Sequence, residues 1–302
     1  SICNGEIYNH NDLRNTHQLE LTSGSDCEVL IPTINKVGIL ETCKNLDGVF
    51  AFIVVRGNGD IIVARDPMGV RCLYVGTNKK GDICFSSEMK SIPNDSGFTI
   101  VPFPPGTYSR YSLVDGKYRE LENVRYYDYH FTNRLTDNEE TAIPKIRELL
   151  ETAVEKRLMS DRQIGCLLSG GLDSSIIAAV LCKKYQTPER KLKTFSVGLE
   201  GSVDLKYARV VAKHLGTDHC ELTLTEEEML DLIEDDIYHI ETYDITSIRA
   251  STPMLALCKY IKKITDIAVI FSGEGSDEAS GSYMYFHNAP DPESFALETE
   301  RL

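Results

Sequence analysis

LLSGGLDSSI, residues 167–176, decides the fold of the second half of this chain. The stretch before it, QIGCLL at 163–168, is short, apolar and partly β-branched, which predicts a buried strand. The stretch after it, SSIIAAVLCKKY at 174–185, has apolar residues at helical spacing and lysines near its end, which predicts a helix. The join is therefore a glycine-rich turn at a helix N-terminus, where unpaired N–H groups and the helix dipole favour a phosphate group.

Strands and helices alternate outward from this turn. Such alternation predicts right-handed βαβ units and a parallel sheet, hence an α/β fold, in which a ligand sits beyond the carboxyl ends of the strands. Three polar loops follow predicted strands, so we expect them to converge on one site: SGG at 169–171, VGL at 197–199 and SGEGSDE at 272–278. The predicted strands are 163–168, 193–198, 218–223 and 266–271, and the predicted helices are 174–185, 204–215, 225–240 and about 250–263.

Residues 1–125 carry a different pattern. Apolar and β-branched runs such as GVFAFIVVR are separated by Gly, Asn and Asp turns, and RGNGD at 56–60 is typical of a hairpin turn. One helix is predicted over about 26–38, with Asp26 as its N-cap. This half is therefore predicted to be an α+β domain, an antiparallel sheet with a helix packed on it. A polar linker, 126–140, joins it to the second domain, 141–302.

The charge balance limits the classes of partner. The 302 residues carry a formal net charge of −14 and no basic stripe, which argues against a nucleic-acid partner. No apolar run is long enough to suggest a membrane span.

The nine cysteines form no C-x-x-C pair, which is typical of reduced thiols in a cytoplasmic protein. In HLGTDHC, residues 214–220, the histidines straddle a predicted helix end and strand, so a metal site is not favoured there.

Two glycine-containing loops have the residue types for phosphate chemistry. SGGLDSS at 169–175 lacks the lysine of a Walker A loop, so the charge of a phosphate chain must be met by N–H groups, the helix dipole and a metal. Asp173 is a candidate ligand for Mg²⁺, which prefers carboxylate and phosphate oxygens. Glu274, Asp277 and Glu278 in the other loop repel one another unless a cation or proton is shared. The residues alone leave two alternatives for that loop: a metal site with one carboxylate acting on substrate, or an acidic surface turn.

A second candidate site lies in the first domain. In CNGEIYN, residues 3–9, the Asn4 amide and the Gly5 N–H are able to stabilise an oxyanion. Asp26, in SGSDCE at 23–28, is able to pair with a substrate ammonium group. Residue types alone favour two ordinary turns over this site.

Taken together, these segments resemble the glutamine-hydrolysing asparagine synthetase family, of the type shared by bacteria and eukaryotes, nearly from end to end. SGGLDSS marks the wider pyrophosphatase-loop superfamily, and IETYDITSIRASTPM at 240–254, together with SGEGSDE, narrows the resemblance to the synthetases. Other matching segments are NGEIYNH, SGSDCEV, SSEMKSI, TFSVGL, DLKYARVVAKHLGT and YFHNAP. The resemblance implies a class II glutamine amidotransferase domain of the Ntn type, followed by a synthetase domain with a pyrophosphatase-loop, adenine nucleotide alpha hydrolase-like fold.

The family's reaction uses both domains. The first releases ammonia from glutamine, and the second uses ATP and Mg²⁺ to adenylate the side-chain carboxylate of aspartate. Ammonia then attacks the aspartyl adenylate, so the products are asparagine, AMP, pyrophosphate and glutamate. The substrates implied for this chain are aspartate, glutamine and ATP. The resemblance leaves open whether the protein forms a homodimer.

The resemblance also implies roles for individual residues. In the first domain, Asn4 and Gly5 match the oxyanion hole, and Glu6 and Asp26 match further positions that hold the substrate glutamine. In the second, Glu274 matches a position that is important for forming the adenylate. The positions that match ATP contacts are Leu167, Ser169, Gly170, Gly171, Asp173, Ser174, Val197, Ser272 and Gly273, and the two metal candidates are Asp173 and Asp277.

Three departures from the family pattern matter. The family's glutaminase nucleophile is an N-terminal cysteine upstream of NGE, whereas Cys3 lies within the oxyanion segment. The family's C-terminal helices are also absent after Leu302, so we expect a fragment, cut at both ends, that does not hydrolyse glutamine by itself. A bulky residue and two glycines usually follow SGEGSDE, but here Ala279, Ser280, Gly281 and Ser282 follow it, which leaves the packing of the loop open. Two alternatives remain: a β-lactam-synthetase-like adenylating enzyme and a non-catalytic paralogue.

Overall fold

The computed structural model describes residues 1–93, 97–128 and 138–301. The chain divides into two compact units, Ser1–Thr136 and Asp137–Leu302, which we call unit 1 and unit 2. Most of the predicted linker, residues 129–137, lies outside the described residues. Its first residue, Tyr126, is buried in unit 1, where its hydroxyl donates to Arg65 O at 2.7 Å. Across the described ranges, no helix has both the length and the hydropathy needed to cross a lipid bilayer.

Unit 1 is built on antiparallel sheet, as predicted. Its strands are β1 (Ile2–Ile7), β2 (Gly48–Val55), β3 (Ile61–Arg65), β4 (Tyr74–Thr77), β5 (Ile83–Ser86), β6 (Thr99–Pro102), β7 (Thr107–Val114) and β8 (Lys117–Arg125). One sheet has the order β1-β2-β3-β7-β8 and the other the order β5-β4-β6. The predicted turn RGNGD closes the β2–β3 hairpin, where Gly59 N donates to Arg56 O at 2.9 Å.

The predicted helix over 26–38 is wrong at its start. A 3₁₀ helix, Asp26–Val29, precedes the α-helix Leu30–Val37. Asp26 is not an N-cap, because its Oδ2 accepts a hydrogen bond from Ile7 N, at the end of β1, at 2.6 Å. The helices of unit 1 are α1 (His10–His17), α2 (Leu30–Val37) and α3 (Ile39–Asn45), and a second 3₁₀ helix spans Met89–Ser91.

The larger sheet of unit 1 is covered on both faces. Phe50 and Phe52 of β2 are fully buried in one apolar cluster with Leu30 and Ile34 of α2. Ala51, which points to the opposite face, belongs to a second cluster that includes residues of the smaller sheet. Strand β1 therefore enters a closed core at its carboxyl end, and this fixes the segment that carries Asn4, Gly5 and Glu6.

Unit 2 has the predicted parallel sheet. Its strands are β9 (Ile164–Leu167), β10 (Lys193–Leu199), β11 (Asp218–Leu224) and β12 (Val269–Phe271), in the order β11-β10-β9-β12, and every pairing is parallel. Its helices are α4 (Glu139–Lys156), α5 (Leu172–Tyr185), α6 (Val203–Leu215), α7 (Glu226–Asp231), α8 (Ile233–Ile240), α9 (Ile245–Ile264), α10 (Ser276–Ser280) and α11 (Pro292–Arg301), and a 3₁₀ helix spans Met284–Asn288. Strand β12 is shorter than the predicted 266–271.

Two predicted helices of unit 2 have different bounds. The helix predicted over 225–240 is divided at Leu232 into α7 and α8. The helix predicted over about 250–263 begins earlier, at Ile245, because the Asp244 side chain caps it by accepting from Ser247 N at 2.9 Å.

Apolar helix faces cover both sides of this sheet, as buried parallel strands require. On one side Ala178 and Leu181 of α5 pack in a cluster with Cys166 of β9. On the other side Leu257 of α9 packs in a cluster with Phe195 of β10. Strand β9 lies between β10 and β12, so the loop after β9 is flanked by the ends of both neighbouring strands.

Candidate functional site

The loop after β9 is tied together by its own hydroxyl groups. Ser169 Oγ lies 2.9 Å from Ser174 Oγ, and Ser169 N donates to Ser174 Oγ at 3.2 Å. Gly171 is the N-cap of α5 and has no side chain to accept from the first turn of the helix. Backbone N–H groups at the start of α5 are therefore free of a side-chain cap, which is the arrangement that binds anions at helix N-termini.

Gly170 is required by the close approach of α6. Its φ is +84°, and an added Cβ atom would lie 2.4 Å from Ala208 N and 2.5 Å from Tyr207 C. These are backbone atoms of a helix and do not yield easily, so only glycine fits. The course of the loop is thus set by the helix packed beside it.

The loop after β12 meets the loop after β9. A Cβ atom added to Gly273 would lie 3.0 Å from Ser174 N and 3.1 Å from Asp173 C, so the two backbones are in near contact. Ser276 Oγ donates to Asp173 Oδ1 at 2.9 Å, across 103 residues of sequence. The predicted convergence is therefore present for these two loops, whereas the third predicted loop, VGL at 197–199, is the last part of strand β10.

A cavity of about 220 Å³ opens between the two loops and the end of β10. It brings together most of the synthetase residues predicted from the sequence: Leu167, Ser169, Asp173, Ser174, Val197, Ser272, Gly273, Glu274 and Asp277. Gly170 and Gly171 shape the loop without lining the cavity. Sequence reasoning did not assign Ser196, Met254, Ser276 or Tyr283, which also line it. Ser276, Met254 and Ser196 lie inside the quoted segments SGEGSDE, IETYDITSIRASTPM and TFSVGL, but their residue types alone indicate no role in the site.

The carboxylates of the second loop are not equivalent. The Ser282 hydroxyl donates to Asp277 Oδ1, and the Tyr283 hydroxyl donates to Glu278 Oε1. The hydrogen bond to Glu278 is the main cause that raises the pKa of Tyr283 to about 12, so this phenol stays protonated at neutral pH. Ser282, one of the departures from the family pattern, thus engages a predicted metal ligand.

The site has two carboxylates for a divalent cation. Asp173 and Asp277 line the same cavity, and one oxygen of each already accepts a hydroxyl hydrogen bond, from Ser276 and Ser282 respectively. Among the described residues, no group of three or more His, Cys, Asp or Glu side chains is arranged to hold a metal by itself. This donor set fits Mg²⁺, which characteristically takes one or two carboxylates and completes its coordination with phosphate oxygens and water.

The candidate glutamine site of unit 1 is centred on β1. A Cβ atom added to Gly5 would lie 2.1 Å from Val49 O, because β1 and β2 pack closely there. Asn4 Nδ2 donates to Ser87 Oγ at 3.2 Å, and Glu6 is half-buried. The carboxylate of Asp26 reaches the end of this strand at Ile7 N. The four predicted residues are therefore grouped by β1.

Two cysteines lie against the same segment. Cys27 Sγ is 3.7 Å from both Gly5 O and Asp26 Oδ2. A hydrogen bond with Cys27 lowers the pKa of the Cys3 thiol, and the same bond together with burial raises the pKa of the Cys27 thiol. Of the two, Cys3 is the thiol that is easier to ionise.

Comparison with known proteins gives a match for each unit. Residues 145–299 match the family model "Asparagine synthase", and residues 1–105 match the model "Glutamine amidotransferase domain". The asparagine synthetase [glutamine-hydrolyzing] of Gallus gallus is 44% identical over 322 aligned residues, and that of Homo sapiens is 41% identical over 322. Both alignments cover 100% of this chain and 57% of the relative, so the chain spans a little over half the length of these relatives.

Solved structures give a weaker likeness. An NH3-dependent NAD synthetase from Campylobacter jejuni has 15% sequence identity and a TM-score of 0.34, and the match covers 46% of this chain and 60% of that one. A TM-score this low supports no argument about fold or function.

Proposed function

The chain belongs to the asparagine synthase family, and on this premise we propose that it carries out ATP-dependent synthesis of L-asparagine from L-aspartate through an aspartyl adenylate. Ammonia would come from glutamine hydrolysis in the full-length enzyme, so that AMP, pyrophosphate and glutamate are released. The observation that carries the proposal is the near contact of the two loops, Gly273 against Asp173 and Ser174, around one cavity. Phosphate-binding groups and reactive carboxylates thereby share a single space.

ATP is proposed to bind with its phosphates at the loop after β9. Ser169, Gly170, Gly171 and Ser174 offer N–H and hydroxyl groups there, with the positive end of α5 behind them. The adenosine part would lie toward Leu167 and Val197, with Ser272 and Gly273 closing the opposite side. These assignments follow the resemblance and are consistent with the cavity wall.

Asp173 and Asp277 are the residues that would hold Mg²⁺. When bound, the cation neutralises charge on the phosphate oxygens and on the pyrophosphate that leaves. The two carboxylates lie in the first turns of α5 and α10, which follow the neighbouring strands β9 and β12, and both line the cavity. One oxygen of each carboxylate accepts a hydroxyl hydrogen bond, from Ser276 and Ser282 respectively.

Glu274 is proposed as the carboxylate that acts on the reacting groups. It lines the cavity next to Gly273, where the two loops meet. A carboxylate there can organise the site while the aspartate side chain attacks the α-phosphate, and can take a proton from the ammonia nitrogen in the second step. Adenylation makes the second step feasible because AMP is a far better leaving group than the oxide of a free carboxylate.

Unit 1 is proposed to hold the glutamine. Asn4 and Gly5 would donate to the oxyanion that forms on the amide carbon, and Glu6 and Asp26 would hold the polar groups of the amino acid. Asp26 is already bonded to β1, so a substrate ammonium would meet a carboxylate in a fixed position.

The test is release of pyrophosphate by the full-length protein with ATP, aspartate and ammonium, each left out in turn. Pyrophosphate and asparagine formed together, and only with all three, support the proposal. Pyrophosphate formed with no ammonium requirement and without asparagine would favour a β-lactam-synthetase-like adenylating enzyme. Absence of turnover beside intact ATP binding would favour a non-catalytic paralogue.

Three further predictions are separate from this test. They are a cytoplasmic location, the lack of a nucleic-acid partner and the formation of a homodimer, to be checked by cell fractionation, a nucleic-acid binding assay and size-exclusion chromatography respectively.

A further inference from the structure

Ser196 has a buried hydroxyl group and lines the cavity between the loops after β9 and β12. It belongs to neither loop. It lies on β10, next to Val197, and is 4% exposed. A buried hydroxyl is costly unless it has hydrogen-bond partners. Its partner is His219 of β11, whose Nε2 lies 3.2 Å from Ser196 Oγ.

This contact is the end of a hydrogen-bonded chain that crosses between two strands. The sheet register places His219 directly opposite Thr194, and His219 Nδ1 lies 2.9 Å from Thr194 Oγ1. Thr194 Oγ1 in turn lies 2.8 Å from Thr217 Oγ1. Thr194 is fully buried and the side chain of His219 is 11% exposed, so these partners are held in place by the core.

A nearby carboxylate favours one direction for this chain of hydrogen bonds. His219 Nε2 lies 3.5 Å from Glu221 Oε1, and Arg209 holds Glu221 by three hydrogen bonds of 2.7 to 2.9 Å. Burial lowers the pKa of His219, so at neutral pH the ring is uncharged and has one N–H. Because a carboxylate oxygen accepts hydrogen bonds, Glu221 favours the tautomer with the N–H on Nε2, in which Nδ1 accepts from Thr194 Oγ1. In this tautomer Ser196 Oγ accepts from His219 Nε2, so its own hydroxyl hydrogen stays available to a ligand of the cavity that Ser196 lines.

We propose that Ser196 is a nucleotide-binding residue that donates a hydrogen bond to an acceptor atom in the nucleoside part of ATP, and that His219 is the positioning residue that fixes this direction. The inference rests on the proposed function, because that function supplies ATP as the occupant. We assign the hydrogen bond to the nucleoside part of ATP because Ser196 is next to Val197 on β10, toward which the adenosine part is proposed to lie. The loop proposed to bind the phosphates follows β9 instead.

The first arm of the test is Ser196→Ala in the full-length protein, with the affinities for ATP and for AMP measured by isothermal titration calorimetry. Loss of one neutral hydrogen bond should weaken both affinities by about threefold to tenfold. An equal loss for both nucleotides is expected, because both contain the nucleoside. Unchanged affinities would overturn the inference, and so would a loss confined to ATP, because that would place the contact on the phosphates.

The second arm compares two amides in place of the imidazole. His219→Gln puts an amide N–H near the position of Nε2, whereas His219→Asn puts its amide near Nδ1 and leaves Ser196 without its donor. We expect His219→Gln to keep the affinity within about twofold and His219→Asn to match Ser196→Ala. The double variant Ser196→Ala with His219→Asn should bind no more weakly than Ser196→Ala alone. His214→Asn, at the exposed end of α6, is the matched control and should change nothing.

A structural role for His219 would give a different result. Both amide variants would then lose affinity equally, in step with their urea unfolding midpoints, and the double variant would show the sum of the losses. That outcome overturns the positioning role. A wild-type protein that binds neither nucleotide would refute the proposed function instead, so the two failures are distinguishable.

Discussion

The loops after β9 and β12 end at the same cavity, yet they are built on different principles. The loop Ser169–Ser174 owes its shape to backbone packing, because α6 leaves no room for a side chain at Gly170. The loop after β12 passes into the five-residue helix α10 and presents Glu274, Asp277 and Glu278 to the cavity. The difference teaches that the first loop depends on space and the second on charge. An added methyl group should therefore disrupt the first loop. A substitution that keeps the side-chain shape but removes a charge should disrupt the function of the second loop.

The largest effect is expected from Gly170→Ala, which tests the dependence on space. The added methyl group would clash with Tyr207 and Ala208 at a positive φ, so we expect a loss of about 3 kcal/mol in the free energy of unfolding and loss of ATP binding. Urea denaturation and nucleotide titration measure both. Gly171→Ala is the matched control, because its Cβ atom would meet only Ser169 Oγ, at 3.4 Å, and should cost about 1 kcal/mol or less. Equal effects in the two variants would show that α6 does not shape the loop.

The next effect concerns Glu274→Gln, which keeps the shape of the side chain and removes its charge. Because the lost interaction is confined to the transition state, asparagine formation should fall by about 10²–10⁴-fold while ATP affinity stays within about tenfold. Asparagine output with ammonium as nitrogen donor is measured beside ATP binding. Glu278→Gln, whose carboxylate already accepts from Tyr283, should lose less turnover. If Glu274→Gln forms asparagine at the wild-type rate, Glu274 has no role in the reaction, and SGEGSDE is better described as an acidic surface turn.

Asp173→Asn tests whether the first loop also needs one charge. Removal of this carboxylate should cost about 3 kcal/mol of transition-state stabilisation, roughly 100-fold in pyrophosphate release, and spare glutaminase activity in the full-length enzyme. Asp204→Asn is a close control, because Asp204 and Asp173 are each the second residue of a helix and share the same dipole effect. Loss of both activities in Asp173→Asn would contradict the assignment of the two reactions to separate units.

The smallest effect is expected from Ser282→Gly, which releases one oxygen of Asp277 from the Ser282 hydroxyl. We expect the Mg²⁺ concentration for half-maximal pyrophosphate release to fall by about twofold to tenfold, because one competing hydrogen bond is gone. Ser280→Ala, on an exposed neighbour, is the control. A higher Mg²⁺ requirement in Ser282→Gly would mean that Ser282 orients Asp277 for the metal and does not compete with it.

The strand, turn and helix of the first loop could be predicted because their signals are contiguous. Periodicity changes once, at two glycines, and the structure follows that change from β9 to α5. The break at Leu232 could not be predicted in the same way, since apolar spacing continues across it. Thr225 and Glu228 form a capping box that gives α7 its start, but no residue in the sequence marks where α7 ends.

The contacts that the sequence did not indicate join residues distant along the chain. Asp26 looks like a helix cap, yet its carboxylate bonds to a strand end 19 residues before it. Ser196 and His219 are 23 residues apart, and only the register of β10 against β11 brings them together. Local sequence propensity does not indicate such a hydrogen-bond partner, because the strand order and register of the sheet determine which distant residues meet.

The strand order has a consequence for biosynthesis. Gly165 of β9 pairs with Ile270 of β12, so one edge of β9, an inner strand of the sheet, has no partner until β12 has been made. Asp173 and Ser276 are 103 residues apart, and at roughly 5–20 residues per second about 5–20 s of translation separate the two loops. Three of the four strands, β9, β10 and β11, are synthesised before β12, so the nascent sheet has an open edge at β9. Unpaired strand edges promote aggregation and are one reason that nascent chains need chaperones. The nucleotide site is therefore complete only after β12 and the loop that follows it have been synthesised.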